Sequence, residues 1–195
     1  MATKLSDSGL LFISSWSLYS ETIYKTDSEF GSLQDCLGFY DANMLSSFSD
    51  LNDDFTAPKT ITKENALSCL RSYLNKVVLN LLTDFGFEKF NQNQFDSLVS
   101  LLSVNSKISD FYVDFKNSTL YSALKNDSSN PDIFSLICNY NFPDKLLAVK
   151  NMYNSTDRRL AEAEMYTSGL YNNCSNLFFK EEIVDGVKVF YSASS

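Results

Sequence analysis

Two arginines stand side by side, Arg158 and Arg159, in the stretch "NSTDRRLAEAEMYTSGLYNN" (residues 154–173), and Arg71 is the only other arginine. Adjacent guanidiniums repel unless an anion lies between them. The spacing leaves two sources open. In the first, Arg158 pairs with Glu162 four residues on, with Asp157 and Glu164 nearby; such an exposed i,i+4 pair is worth about 0.2–0.5 kcal/mol. In the second, the anion comes from outside. Ser155 or Thr156 is a good N-cap, so both arginines fall in a first helical turn. The helix dipole disfavours cations there, while the exposed N–H groups suit a phosphate.

Other chemistry is sparse. Histidine is absent, which removes the commonest general base and metal ligand and rules out Ser–His and Cys–His nucleophile pairs. There is no Gly-rich phosphate loop and no spaced set of metal ligands. Carboxylate-only catalysis remains possible, since Asp and Glu are plentiful, and the expectation is a non-enzyme with no cofactor and no metal. Cys36, Cys69, Cys138 and Cys174 are far apart with no C-x-x-C pair, and reduced thiols are expected. The N-terminus lacks a basic segment followed by a long apolar run, so no signal peptide is expected. No stretch approaches bilayer-spanning length, so no membrane partner is expected. The net charge is −8, from 16 basic and 24 acidic residues. That argues against a general nucleic-acid binder but leaves room for a narrow basic strip.

The elements that must position these groups follow from periodicity. Few Gly and Pro favour helices. From Thr62 to Phe85, Leu67, Leu70, Leu74, Val77, Val78, Leu81 and Leu82 recur at three and four residues, predicting an amphipathic helix capped by Thr62 and ended by Gly86. "NQFDSLVSLLS" predicts a second helix with Phe95, Leu98, Val99 and Leu102 on its stripe. Residues 1–30 show no sustained period. Residues 32–48 are expected to be helical, and "ISDFYVDF" (108–115) a short strand. "STLYSALKN" and "PDIFSLICNYN" are expected to be helical pieces, the second with Pro131 in its first turn. The helix from 156 carries Leu160, Ala163, Thr167, Leu170 and Cys174 on one face, weakened by Gly169. In "FFKEEIVDGVKVFY" the period changes to two around Asp185-Gly186, a hairpin signal. The expected fold class is all-α, four-helix-bundle-like, with a small β element near the C-terminus. One domain is expected: an N-terminal segment (1–30), a helical core (31–180), and a hairpin and tail (181–195).

The order of features from Pro131 onward carries a resemblance. A helix, a short polar loop, "STDRR" opening a helix, "NN", the aromatic-acidic run from Phe179 to Phe190 with Gly186 and Val187, and the tail "SASS" follow one another. This resembles the coat proteins of rod-shaped plant RNA viruses, the tobamovirus-like group. "LLFISSWSLYSE" resembles the opening stretch of that family. The resemblance implies a capsid protein that polymerises helically around single-stranded RNA, with itself and the RNA as its partners. It implies the virion as location, and the host cytoplasm before assembly. It also implies phosphate contacts by Arg159 and Arg158, a loop cation at Lys145, a ribose contact near Glu162, and Asn173 on a polar face of the same helix. The sequence departs from the family at Pro143, at the shorter loop "MYNSTD", and at Ala148, where an assembly-switch carboxylate is expected. The rival expectation is a helical structural or adaptor protein of another virus or phage, binding protein partners alone.

Overall fold

The structure is a computed structural model that describes residues 4–17, 19–27, 33–41, 60–86, 88–103, 108–140, 156–173, 179–184 and 186–192. Helix α1 (Asp7–Ser15) starts where Ser6, in extended backbone, accepts the Gly9 N–H on its hydroxyl at 2.9 Å. Three strands follow: β1 (Ser20–Asp27), β2 (Leu33–Gly38) and β3 (Tyr40–Asp41). The chain then builds its helical body from α2 (Lys63–Phe85), α3 (Gln92–Leu102), α4 (Ile108–Lys116), α5 (Thr119–Asn126), α6 (Ile133–Cys138) and α7 (Thr156–Ser168). It closes with β4 (Phe179–Val184) and β5 (Val187–Ser192). No described helix is long and apolar enough to cross a membrane.

Local chemistry accounts for these boundaries. Thr62 accepts the Asn65 N–H at 3.2 Å to open α2, and Gly86, at φ +81°, closes it with its N–H on the Leu82 carbonyl. At α3, Asn91 and Gln94 form a reciprocal capping box, which satisfies two otherwise orphaned donors. Ser118 caps α5 by accepting the Tyr121 N–H at 3.0 Å. Helix α7 stops at Gly169, whose φ of +70° ends the helix as a left-handed residue with its N–H on the Met165 carbonyl. Gly169 is therefore a terminator and not the weakened interior position expected from the sequence.

The all-α body with a small β element near the C-terminus stands as read from the sequence. Strands β4 and β5 pair antiparallel from Phe179↔Ser192 to Val184↔Val187 around Gly186 at φ +79°, as the Asp-Gly signal predicted. Three expectations are corrected. Residues 33–41, expected as helix, are strands: β2 pairs antiparallel with β1 from Ser20↔Gly38 to Asp27↔Leu33. Gly38 sits at φ +69°, a conformation incompatible with a continuing helix. Residues 108–115, expected as strand, belong to helix α4, because Tyr112 and Phe115 are buried together at a three-residue spacing. The seemingly aperiodic first 30 residues hold α1 and β1. The sheet order is β3-β2-β1-β5-β4, with β1 and β5 parallel.

Helix α3 sits at the centre. Every residue from Phe95 to Leu102 is buried, and α1, α2, α4 and α7 all pack against it. Beside it Phe85, Phe90, Phe115 and Tyr121 form an aromatic cluster with centroids 5.1–5.3 Å apart in tilted and edge-on pairs. Such geometry suits the ring quadrupoles.

Two outcomes follow from this core. Leu74→Ala, at a fully buried site of α2, is expected to cost about 2–5 kcal/mol in urea denaturation. The second concerns alkali. Burial pushes the phenols of Tyr112, Tyr166 and Tyr171 well up, and raises Tyr140 to about 12 although the Arg159 charge pulls it back. The unfolded chain loses these protons from about pH 10, before the folded chain does. Stability is therefore fully present below about pH 10 and falls as pH rises through the folded values. Absorbance titration of tyrosinate should show late, cooperative ionisation coincident with loss of helix.

Candidate functional site

The arginine pair finds its anion inside the protein. Arg158, Arg159 and Glu162 are 1%, 1% and 0% exposed, so the outside-anion arrangement has no surface to act on. Arg158 Nε donates to Glu162 Oε1 at 3.0 Å. Its Nη2 donates to the Ser100 carbonyl, Ser100 Oγ and Ser103 Oγ at 3.1–3.3 Å. Arg159 Nη1 donates to the other carboxylate oxygen, Glu162 Oε2. Ser100 Oγ adds a 2.6 Å bond to Glu162 Oε1, and Ser97 Oγ donates to the Glu162 backbone carbonyl at 2.7 Å. The cluster welds α7 onto the serine-lined side of α3. Burial pulls the Arg159 pKa down, opposed by the Glu162 charge.

Of the residues expected at RNA, the structure brings Arg158, Arg159 and Glu162 together, as internal ion pairs. Asn173 is exposed beyond the end of α7 and takes no part in this cluster. Lys145 lies outside the described residues. The expected surface i,i+4 pair is present in its spacing but not in its setting. Substitutions here are therefore structural, contrary to a neutral effect on a polar helix face.

A second buried carboxylate was not singled out by sequence. Asp96, on α3 and fully buried, accepts from the Ser6 N–H at 3.0 Å, from Ser6 Oγ, from Gln92 Nε2 at 2.8 Å and from the Tyr171 hydroxyl at 2.8 Å. Arg71 Nη1 holds the adjacent Leu5 carbonyl at 2.7 Å and pairs with Asp7. One signal was legible: Gly9 within a helix marks a close approach. A Cβ there would lie 2.6 Å from Asp96 Cγ. Both buried carboxylates are thus engaged in holding helices together.

The helical body joins the sheet near the end of α1. The end of α1 brings in Trp16 and Ser17, both buried. The Tyr19 ring lies 4.8 Å from that of Phe39, and the Tyr19 hydroxyl donates to the Ile61 carbonyl at 3.4 Å. The Ile61 N–H donates to the Glu21 carbonyl at 2.8 Å, and Thr22 bridges to Thr60. Gly38 approaches α2 so closely that its Cβ would be 3.1 Å from that of Ala66. Four elements therefore converge on one corner. The Glu21 side chain is exposed there, between Ser20 and Thr22, whose hydroxyls lie 3.4 Å apart. By backbone position the sheet adds Asp35 opposite Lys25 and Asp41 opposite Cys36.

A helical body with an attached sheet in this arrangement is also found in a solved phage protein. The chain is similar in fold to the endolysin from Escherichia coli O157:H7 phage FAHEc1, with a TM-score of 0.61 and 19% identity, covering 89% of this chain and 99% of that one. No protein-family model matches the sequence, and no curated protein does.

This likeness overturns two expectations. The helically polymerising coat protein, and its structural or adaptor alternative, are replaced by a chain with the fold of an endolysin, and the expected absence of enzymatic activity is overturned with them. The physical source of the misreading is the arginine pair. A buried Arg-x-x-x-Glu cluster and an exposed basic motif have the same letters, and burial alone separates them.

Glu162→Gln would leave two buried guanidiniums without their carboxylate. It is expected to cost about 3–5 kcal/mol, measured by urea unfolding, with Arg159→Ala in the same range. A change under about 0.5 kcal/mol, typical of surface positions, would contradict the internal placement.

Proposed function

We propose that this chain is an endolysin-type enzyme that cleaves a cell-wall glycan by carboxylate chemistry at the junction of the helical body and the sheet. The carrying observation is the match of fold along nearly the whole length of a phage endolysin. Two physical arguments support the reaction class. With no histidine in the chain, the Ser–His and Cys–His routes to amide hydrolysis are closed. Glycoside hydrolysis needs only two carboxyl groups, about 5–9.5 Å apart, one to protonate the leaving oxygen and one to act on the anomeric centre or its water.

The buried carboxylates do not suit this work. Asp96 and Glu162 are fully buried and held by internal hydrogen bonds and ion pairs, so neither has a surface on which to meet a glycan. Glu21 is exposed at the junction and takes the acid role in this reading. The opposing carboxylate comes from the sheet, where Asp35 and Asp41 are the candidates by backbone position. Clefts between structural layers are where ligand sites concentrate, and the half-buried Tyr19 ring lies two residues before Glu21.

The experiment is clearance of a bacterial cell-wall suspension by purified protein, with reducing ends and free amines assayed separately. New reducing ends without new amines are expected. Glu21→Gln is expected to lower the rate by about 10²–10⁴-fold, the usual contribution of a general acid, with an unchanged melting temperature. Full activity in Glu21→Gln would remove Glu21 from the role. Amines in place of reducing ends would overturn the glycosidase reading.

A further inference from the structure

The sheet is assembled from the two ends of the chain. Strands β1, β2 and β3 come from residues 20–41, and β4 and β5 from residues 179–192; the helical body from α2 to α7 lies between them in sequence. Parallel neighbours always need a crossover connection. Here the crossover joining β1 to β5 is that entire body.

Neither half is substantial by itself. The β1–β2 ladder has five registered pairs and an irregularity between Ser20 and Tyr24, and β3 adds two residues. The β4–β5 hairpin has six registered pairs. An isolated two-stranded hairpin is marginal in water, and a third strand is what brings independent stability. The contact that gives each half its third full strand is the parallel register of Tyr24↔Lys188, Lys25↔Val189 and Thr26↔Phe190. The helical body, by contrast, is held by a large buried core around α3, which among the described side chains the sheet region joins through Phe39 of the β2–β3 bend.

We propose that the C-terminal hairpin is a clip on which the N-terminal sheet depends. The β1–β2 ladder, and with it the sheet side of the Glu21 corner, is ordered only while β5 is docked on β1, whereas the helical body is ordered without it. The chain thus completes the sheet half of that corner with its last strand. This holds whatever the substrate.

The test is hydrogen exchange on the full-length chain with two variants. Val189→Pro removes the backbone donor at the middle of β5, opposite both Lys25 and Glu182. Gly186→Ala places a side chain at φ +79° with no heavy atom within 4 Å of the new Cβ, so it strains the turn without any clash. In Val189→Pro, exchange at Tyr24–Thr26 and at Gln34–Cys36 is expected to speed up by roughly tenfold or more, while α3 amides keep wild-type protection. Gly186→Ala is expected to shift the same amides in the same direction by less. Wild-type protection at Gln34–Cys36 while β4 and β5 exchange freely would overturn the proposal. Faster exchange in α3 alongside the sheet would overturn it too, since the hairpin would then support the whole fold.

Discussion

One carboxylate sets the terms for the rest of the structure. Glu162 lies fully buried between two guanidiniums, and charges so placed are tolerable only when every partner arrives in register. That requirement fixes the rotation of α7, which must turn Arg158, Arg159 and Glu162 inward together. It fixes α3 as well, which must offer Ser97, Ser100 and Ser103 on the facing side. A purely apolar seam between these helices could slide by a turn at modest cost. An ionic seam that slides leaves uncompensated charge behind. The cluster therefore supplies specificity to a helix whose exposed face includes Leu160 and whose buried apolar side chains are Ala161, Ala163, Met165 and Tyr166.

Asp96 applies the same logic one turn before Ser100, toward the start of α3. It gathers Ser6 at the head of α1, Gln92 on its own helix, and Tyr171 beyond the end of α7. Segments distant in sequence are thereby held by one anion. Since α1 ends at Trp16 and leads into β1, the anchor at Ser6 also sets where the sheet begins. The corner around Glu21 is thus positioned from behind by Asp96, through α1, and from the side by α2, through Ile61 and Ala66.

The likeness to an endolysin at 19% identity is consistent with such a division of labour. What a fold requires is an enclosed helical body with a few non-negotiable polar contacts, and many sequences can meet that requirement. The surface residues that do chemistry are under no such constraint from the fold, which is why function here is argued from the corner itself.

Local signals determined a large part of this protein. Thr62 and Gly86 bound α2, Asn91 and Gln94 open α3, Ser118 opens α5, and Gly186 sits at the turn of the C-terminal hairpin, because each of these features is decided by hydrogen bonds or dihedrals within a few residues. The sequence also spaced Arg158 and Glu162 for a pair. It could not say which side of the helix faced inward, since Leu160 is exposed while the charged residues on either side of it are buried, the reverse of what amphipathicity leads one to expect. The strands at 33–41 were misread as helix because Leu33, Cys36, Leu37 and Tyr40 fit a helical spacing, and only pairing with β1 decided otherwise. The Glu21 corner was not legible at all. It exists because α1, β1, the β2–β3 bend and the start of α2 meet in space, and contacts between residues so far apart leave no periodic trace in the chain.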